Sequence, residues 1–271
     1  MEWNRNPYTI SDATFAEVWD MALKDRIASP KGIAQGTVNC YRIAFNRLAP
    51  LHDRPLRALS LQELQDALDS IGNSRAAVEL QLVVIQMVYK FATRHDMVPK
   101  DYSQYLQART GTEDEKGEPF TDEELAELKR HTDNKCVRQI LCLCYTGFRV
   151  AAYQTMRKEG DVLIGGVKTK ASKDRTVPIH PAIADWIDET IGINSFAFRK
   201  AMHSTLADLG LRQHTPHDCR HTFSYLCDKY GVEPFTKRML LGHSLGTDVT
   251  DQRYGHRSVD QLRAAIGLLV F

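Results

Sequence analysis

Four short segments in the second half of the chain concentrate side chains suited to handling a phosphate. They are TGFRVAA with Arg149, KTKASKDRTVPI with Lys170, HDCRHTF with His217 and Arg220, and LGHSLGTDVTDQRYGH with His243 and Tyr254. Arginine's planar fork donates two parallel hydrogen bonds to phosphate oxygens and keeps its charge. An imidazole titrates near neutrality, so it can accept or pass on a proton. A phenol becomes a nucleophile once its proton has somewhere to go. Each segment alone has an ordinary explanation: a structural ion pair, a solvated basic turn, a satisfied polar histidine, a packing tyrosine.

The order and spacing of the four together resemble the signature of the tyrosine recombinase (phage integrase) family. In that family a T-G-x-R arginine, a β-hairpin lysine, an H-x-x-R pair, an L-G-H histidine and a C-terminal tyrosine surround one scissile phosphate. The resemblance implies a catalytic set of Arg149, Lys170, His217, Arg220, His243 and Tyr254. Arg149 and Arg220 would clamp the non-bridging oxygens, where negative charge grows during attack. His217 would take the phenol proton, and Lys170 would deliver one to the departing 5′ oxygen. Counted back from the VPI strand, the lysine falls on Lys170, with Lys168 and Lys173 as alternatives. His243 would donate to a phosphate oxygen and help orient Tyr254, the nucleophile.

The implied activity is that of a site-specific DNA recombinase, a strand transferase that cuts and rejoins double-stranded DNA through a 3′-phosphotyrosyl intermediate. Family members of this kind act as tetramers on paired sites, and a free monomer is expected here. Because the tyrosyl phosphate stores the energy of the broken bond, resealing requires no external source. No nucleotide cofactor or metal is therefore expected, and the sequence has no Walker loop, no GxGxxG at a strand end and no carboxylate cluster suited to paired magnesium ions. Two alternatives remain open: a DNA-binding member with reduced or lost cleavage, and a DNA-relaxing enzyme of the type IB topoisomerase kind. Two departures from the family pattern stand out. Where a glutamate or aspartate usually follows the T-G-x-R arginine by three residues, this chain has Ala152, and the gap from His243 to Tyr254 is longer than the commonest form. Many integrases carry an N-terminal arm-binding domain, for which too few residues precede the first helix here, so either a simpler recombinase or one trimmed of that domain is expected.

Positioning these groups requires two domains, the natural expectation for 271 residues. The acidic, glycine- and proline-bounded stretch 111–118 reads as a linker. Residues 1–110 carry helical stripes, Phe15, Val18, Trp19 and Leu23 in one, Val38, Tyr41, Ile43, Phe45 and Leu48 in another, and Val78, Leu82, Ile85, Val88, Tyr89 and Phe91 in a third. By resemblance this is the family's helical core-type DNA-binding domain. Residues 119–271 are the expected catalytic domain, mixed α+β, so that the whole chain is mostly α with a small β-sheet. Ser60 with Glu63 and Thr121 with Glu124 read as capping boxes. VRQILCLCYTG reads as a buried helix ending near Gly147, and DVLIGGVKTKASKDRTVPIH as a hairpin. Helices are expected again from Pro181 onward, including AIADWI. The tail SVDQLRAAIGLLVF places Val259, Leu262, Ile266 and Leu269 on one stripe; the family resemblance implies that it lies in cis or is mobile in a free monomer and exchanges between protomers on DNA.

A net charge of only +1 argues against a protein that coats nucleic acid through bulk charge. Local patches must carry DNA affinity, and Lys168, Lys173 and Arg175 in the hairpin are the candidate contacts. Six cysteines without a CxxC pair read as reduced, mostly buried thiols. The start of the chain lacks a signal-peptide pattern and no apolar run looks long enough to span a bilayer, so a cytoplasmic protein without a membrane partner is expected.

Overall fold

Several helices start at capping boxes complete within four residues. The computed structural model describes residues 12–70, 74–109, 111–112, 117–166, 174–243 and 257–271. It divides into two units, Met1–Glu115 and Lys116–Phe271.

In the first unit, α1 (Phe15–Ala28) opens on a Thr14–Glu17 capping box and α3 (Leu61–Asp69) on the expected Ser60–Glu63 box. With α2 (Gln35–Asn46) and α4 (Arg75–Arg94) they surround a core of Phe15, Val18, Trp19, Leu23, Val84, Ile85 and Val88. Phe45 stacks between Trp19 at 4.8 Å and His52 at 4.0 Å. Ile43, expected in the second stripe, is 56% exposed instead. At about 100° per residue it falls off the side of α2 that buries Val38 and Ala44. Helix α4 is, against expectation, long and apolar enough to span a bilayer by length and composition alone, with an 18-residue stretch of mean hydropathy 1.3. Its apolar face, however, is the core of this unit.

In the second unit, α5 (Asp122–Arg130) starts at the Thr121–Glu124 capping box. It is followed by α6 (Lys135–Thr146), whose side chains from Ile140 to Thr146 are all buried. That burial explains the run of apolar residues and cysteines, and Cys142 and Cys144 are free, buried thiols. A three-stranded antiparallel sheet follows in the order β1 (Arg157–Glu159), β2 (Val162–Gly165), β3 (Arg175–Pro178). β2 and β3 are the arms of the expected hairpin, and their register pairs Gly165 with Arg175. β1 was not foreseen, being three exposed residues with no alternating pattern to betray them. The expected helix at AIADWI is instead a pair of short 3₁₀ turns, Pro181–Ile183 and Ile187–Glu189. Their backbone bonds run from i to i−3, the tighter winding that serves short pieces. Helices α7 (Ser195–Asp208), α8 (Pro216–Lys229), α9 (Pro234–Leu241) and α10 (Val259–Ile266) complete the described chain. α8 packs along α6, and α10 lies on β3 and α9.

The tail packs on its own unit. Leu262, Ile266 and Leu269 are buried, whereas Val259, Leu268 and Val270 are exposed. Tyr145 donates its hydroxyl to the Val270 carbonyl at 2.9 Å, and His180 Nε2 lies 2.9 Å from the Leu269 carbonyl. Phe271 rests on Tyr145, with the Lys129 ammonium 4.8 Å from its ring centroid.

Candidate active site

Two helices end on glycine and release a site residue within the next two positions. Gly147, at φ 66°, stops α6 and leads through buried Phe148 to Arg149. Gly242, at φ 64°, stops α9 and leads to His243. Both angles lie in the left-handed region that glycine enters freely. At Gly147 a side chain is also excluded by space, because a Cβ there would overlap the Phe223 ring, with Cγ only 2.8 Å away.

Arg220 ties these two ends together. It projects from α8, is 4% exposed, and donates Nη1 to the Gly147 carbonyl at 2.8 Å and Nη2 to the Leu241 carbonyl at 2.7 Å. The last carbonyls of a helix lack intrahelical partners and carry the negative end of its dipole, so a guanidinium suits them. One side chain thereby fixes the exits that carry Arg149 and His243. Arg149 itself is half-buried, and no hydrogen bond or ion pair holds its guanidinium among the described residues. Ala152, in the position usually acidic, is 1% exposed and brings no carboxylate.

His217 stands on the first turn of α8, exposed, with its ring edge-on to His221 at 4.8 Å. Partial burial, followed by His221, Arg149 and Arg220, pushes its pKa below the ordinary histidine value, against a weaker pull from Asp218. His243 is lowered in the same direction by burial, then by Arg220, Arg149 and Arg175. Both imidazoles are therefore neutral at neutral pH, one state that can accept a proton and donate a hydrogen bond.

Arg175 differs from expectation. Expected as a DNA contact of the hairpin, it is only 8% exposed. The β2–β3 register points it inward, where its guanidinium lies 4.0 Å from the Phe148 ring centroid and Nη2 donates to the Gly147 carbonyl at 3.2 Å. Nothing in the local sequence separates it from the other cations of the hairpin; only strand register does. Lys168, Lys170, Lys173 and Tyr254 lie outside the described residues. A cleft of about 340 Å³ borders the site, lined by Arg175, Thr176, Met239, His243, Arg257, Val259 and Leu262. Arg257, where the described chain resumes, reaches Thr236 Oγ1 at 3.2 Å.

The described arrangement is thus a set of three mutually close guanidiniums without an ion-paired carboxylate, flanked by two neutral imidazoles. Such a set can receive an anion with several oxygens.

No family model matches the chain. It is 33% identical over 159 residues to the integrase of Escherichia phage P2, which is 55% of this chain and 46% of that protein. The chain therefore spans about half the length of the curated relative it matches. Among solved structures, a lambda integrase tetramer bound to a Holliday junction aligns with a TM-score of 0.73 at 16% identity, over 92% of this chain and 84% of that one. The integrase of transposon Tn1549 in complex with circular intermediate DNA aligns with a TM-score of 0.65 at 17% identity, over 93% and 98%. The chain has the fold of these integrases. The sequence similarity to an integrase is confined to those 159 residues, while the similarity of fold extends over nearly the whole chain.

Proposed function

We propose that the protein is a site-specific DNA recombinase of the integrase type, acting in the cytoplasm on double-stranded DNA through a covalent link to Tyr254. The observation that carries this reading is the cluster of Arg149, Arg175 and Arg220, which has no paired carboxylate among the described residues and is flanked by neutral His217 and His243. A phosphodiester offers two non-bridging oxygens and the missing negative charge, and donors placed before the reaction stabilise charge as it develops. In this reading Arg149 and Arg220 clamp the phosphate and His217 accepts the Tyr254 proton. His243 donates to a phosphate oxygen, and Lys170 supplies the proton for the leaving 5′ oxygen. The first unit would grip the DNA, as the helical domain of the family does. Four copies would assemble on paired sites, with the tail from Ser258 onward passing from its own unit to a neighbour.

The test is to incubate the protein with DNA from the flanks of its own gene and look for a protease-sensitive covalent adduct. Tyr254→Phe should abolish the adduct while leaving DNA affinity nearly unchanged, since basic groups elsewhere supply binding. An adduct that persists in the phenylalanine variant would remove Tyr254 from the mechanism. The burial of Ala152 favours one second reading, a DNA-binding protein with weakened cleavage, and DNA binding by the unaltered protein with no adduct on any flank would select it.

A further inference from the structure

We infer that Arg175 is a positioning residue for the phosphate-binding arginines: from the start of β3 its buried guanidinium holds the Gly147–Phe148 exit that carries Arg149 and shares an acceptor with Arg220. The inference rests on the phosphate-binding reading of the site. A cation with 8% exposure has given up almost all its water, and such a group normally recovers the loss from a carboxylate. Here the only compensation among the described residues is one carbonyl, at 3.2 Å, and one aromatic face, at 4.0 Å. Its Nε is buried without a partner.

Those two compensating groups belong to consecutive residues, 147 and 148, and Arg149 comes next. Arg175 therefore grips both residues that aim Arg149. The same Gly147 oxygen accepts from Arg220 Nη1 at 2.8 Å, so a shift of one guanidinium must displace the other. Arg175 is only 8% exposed, with what surface it has turned to the cleft beside the site, which separates this role from that of a surface cation. Its effect on the phosphate passes through Arg149 and Arg220. Its charge also bears on His243, and less on His217, where His221, Arg149 and Arg220 act more strongly.

The experiment uses the full chain and inorganic phosphate as the probe, at constant ionic strength. Phosphate affinity is read from thermal shift, and the His217 and His243 titrations from NMR. The unaltered protein should bind phosphate, and Arg220→Ala should lose that binding. Arg175→Met should weaken binding by about tenfold, in the range of couplings between residues that share a partner. It should also raise the His243 midpoint by more than that of His217. Arg175→Lys keeps the charge but has neither the planar fork nor the stacking face, so its affinity should stay well below that of the unaltered protein. If the methionine variant does not fold, the lysine variant carries the test alone. Loss of binding in Arg220→Ala with full binding in Arg175→Met overturns the role of Arg175 and leaves the site reading intact. Full recovery in Arg175→Lys also overturns it, by reducing the residue to a charge. Equal phosphate response in the unaltered protein and Arg220→Ala overturns the site reading and this inference with it.

Discussion

Replacing Gly147 by alanine perturbs the one point that α6, Phe223, Arg175 and Arg220 all share. Two costs can be separated. The left-handed backbone, φ 66°, penalises any residue with a Cβ by roughly 1–2 kcal/mol. The new methyl must also displace the Phe223 ring, fully buried in the core against α6, and overpacking of that kind costs about 1–3 kcal/mol. Gly210 provides the control, because its φ is also 66° but a Cβ there meets nothing within 4 Å. Gly210→Ala should therefore cost only the backbone part, and Gly147→Ala about 2–5 kcal/mol. Hydrogen exchange of peptides covering α6 and α8, measured across a urea series, reports the second unit by itself and avoids assuming that two units unfold together. Because the Gly147 carbonyl seats two guanidiniums, phosphate affinity should fall in Gly147→Ala and stay unchanged in Gly210→Ala. Equal stability losses for the two variants would refute the close approach of Phe223 as the reason for glycine at 147.

Removing either clamp arginine should lower DNA cleavage by on the order of 10²-fold or more, the loss typical of one preorganised donor; but Arg220→Ala should also lower the melting temperature, while Arg149→Ala should not, since only Arg220 holds helix-end carbonyls. A cleavage assay beside a melting curve for each variant separates the two effects. His180, His217 and His243 all have folded pKa values below 6.5, with burial the largest cause of each. The unfolded chain then binds more protons below that value, so their contribution to stability is complete above about pH 6.5 and is lost as pH falls through the folded values. Unfolding free energies measured from neutral to mildly acidic pH should fall accordingly, and a flat profile would contradict the shifts. Leu269→Ala should destabilise the second unit by about 2 kcal/mol, at the low end for a buried leucine because a chain end can relax. Leu268→Ala, at a site 50% exposed, should change little in the same melting measurement.

What the sequence disclosed is mostly local. Ser60–Glu63 and Thr121–Glu124 announce their helices because a capping box is complete within four residues. Gly147 marks the end of α6 because few residues other than glycine adopt its angle. The stripe Leu262, Ile266 and Leu269 shows that the tail needs a groove, but not that the groove is β3, α9 and the surroundings of Tyr145. The burial of Arg175 was not legible because its sequence is one of closely spaced cations, whereas its neighbours in space come from α6 and α8. Pairing with Gly165 decides that, and register is a long-range property. β1 and the 3₁₀ turns were missed for want of any periodicity. Lys170 and Tyr254, named from the family resemblance alone, remain proposals.

The grip of Arg220 on the Gly147 and Leu241 carbonyls bears on how far such a protein can diverge. Both acceptors are main-chain atoms, present whatever side chain the position carries. A lineage can therefore exchange nearly every residue on the surfaces of α6 and α9 without unseating the guanidinium. It must keep only two helices that end where they do, each with a glycine turn, and one arginine long enough to bridge them. A recognition built on backbone tolerates drift that a side-chain ion pair, which must change two partners together, does not. That latitude is compatible with a fold retained against lambda integrase at 16% identity.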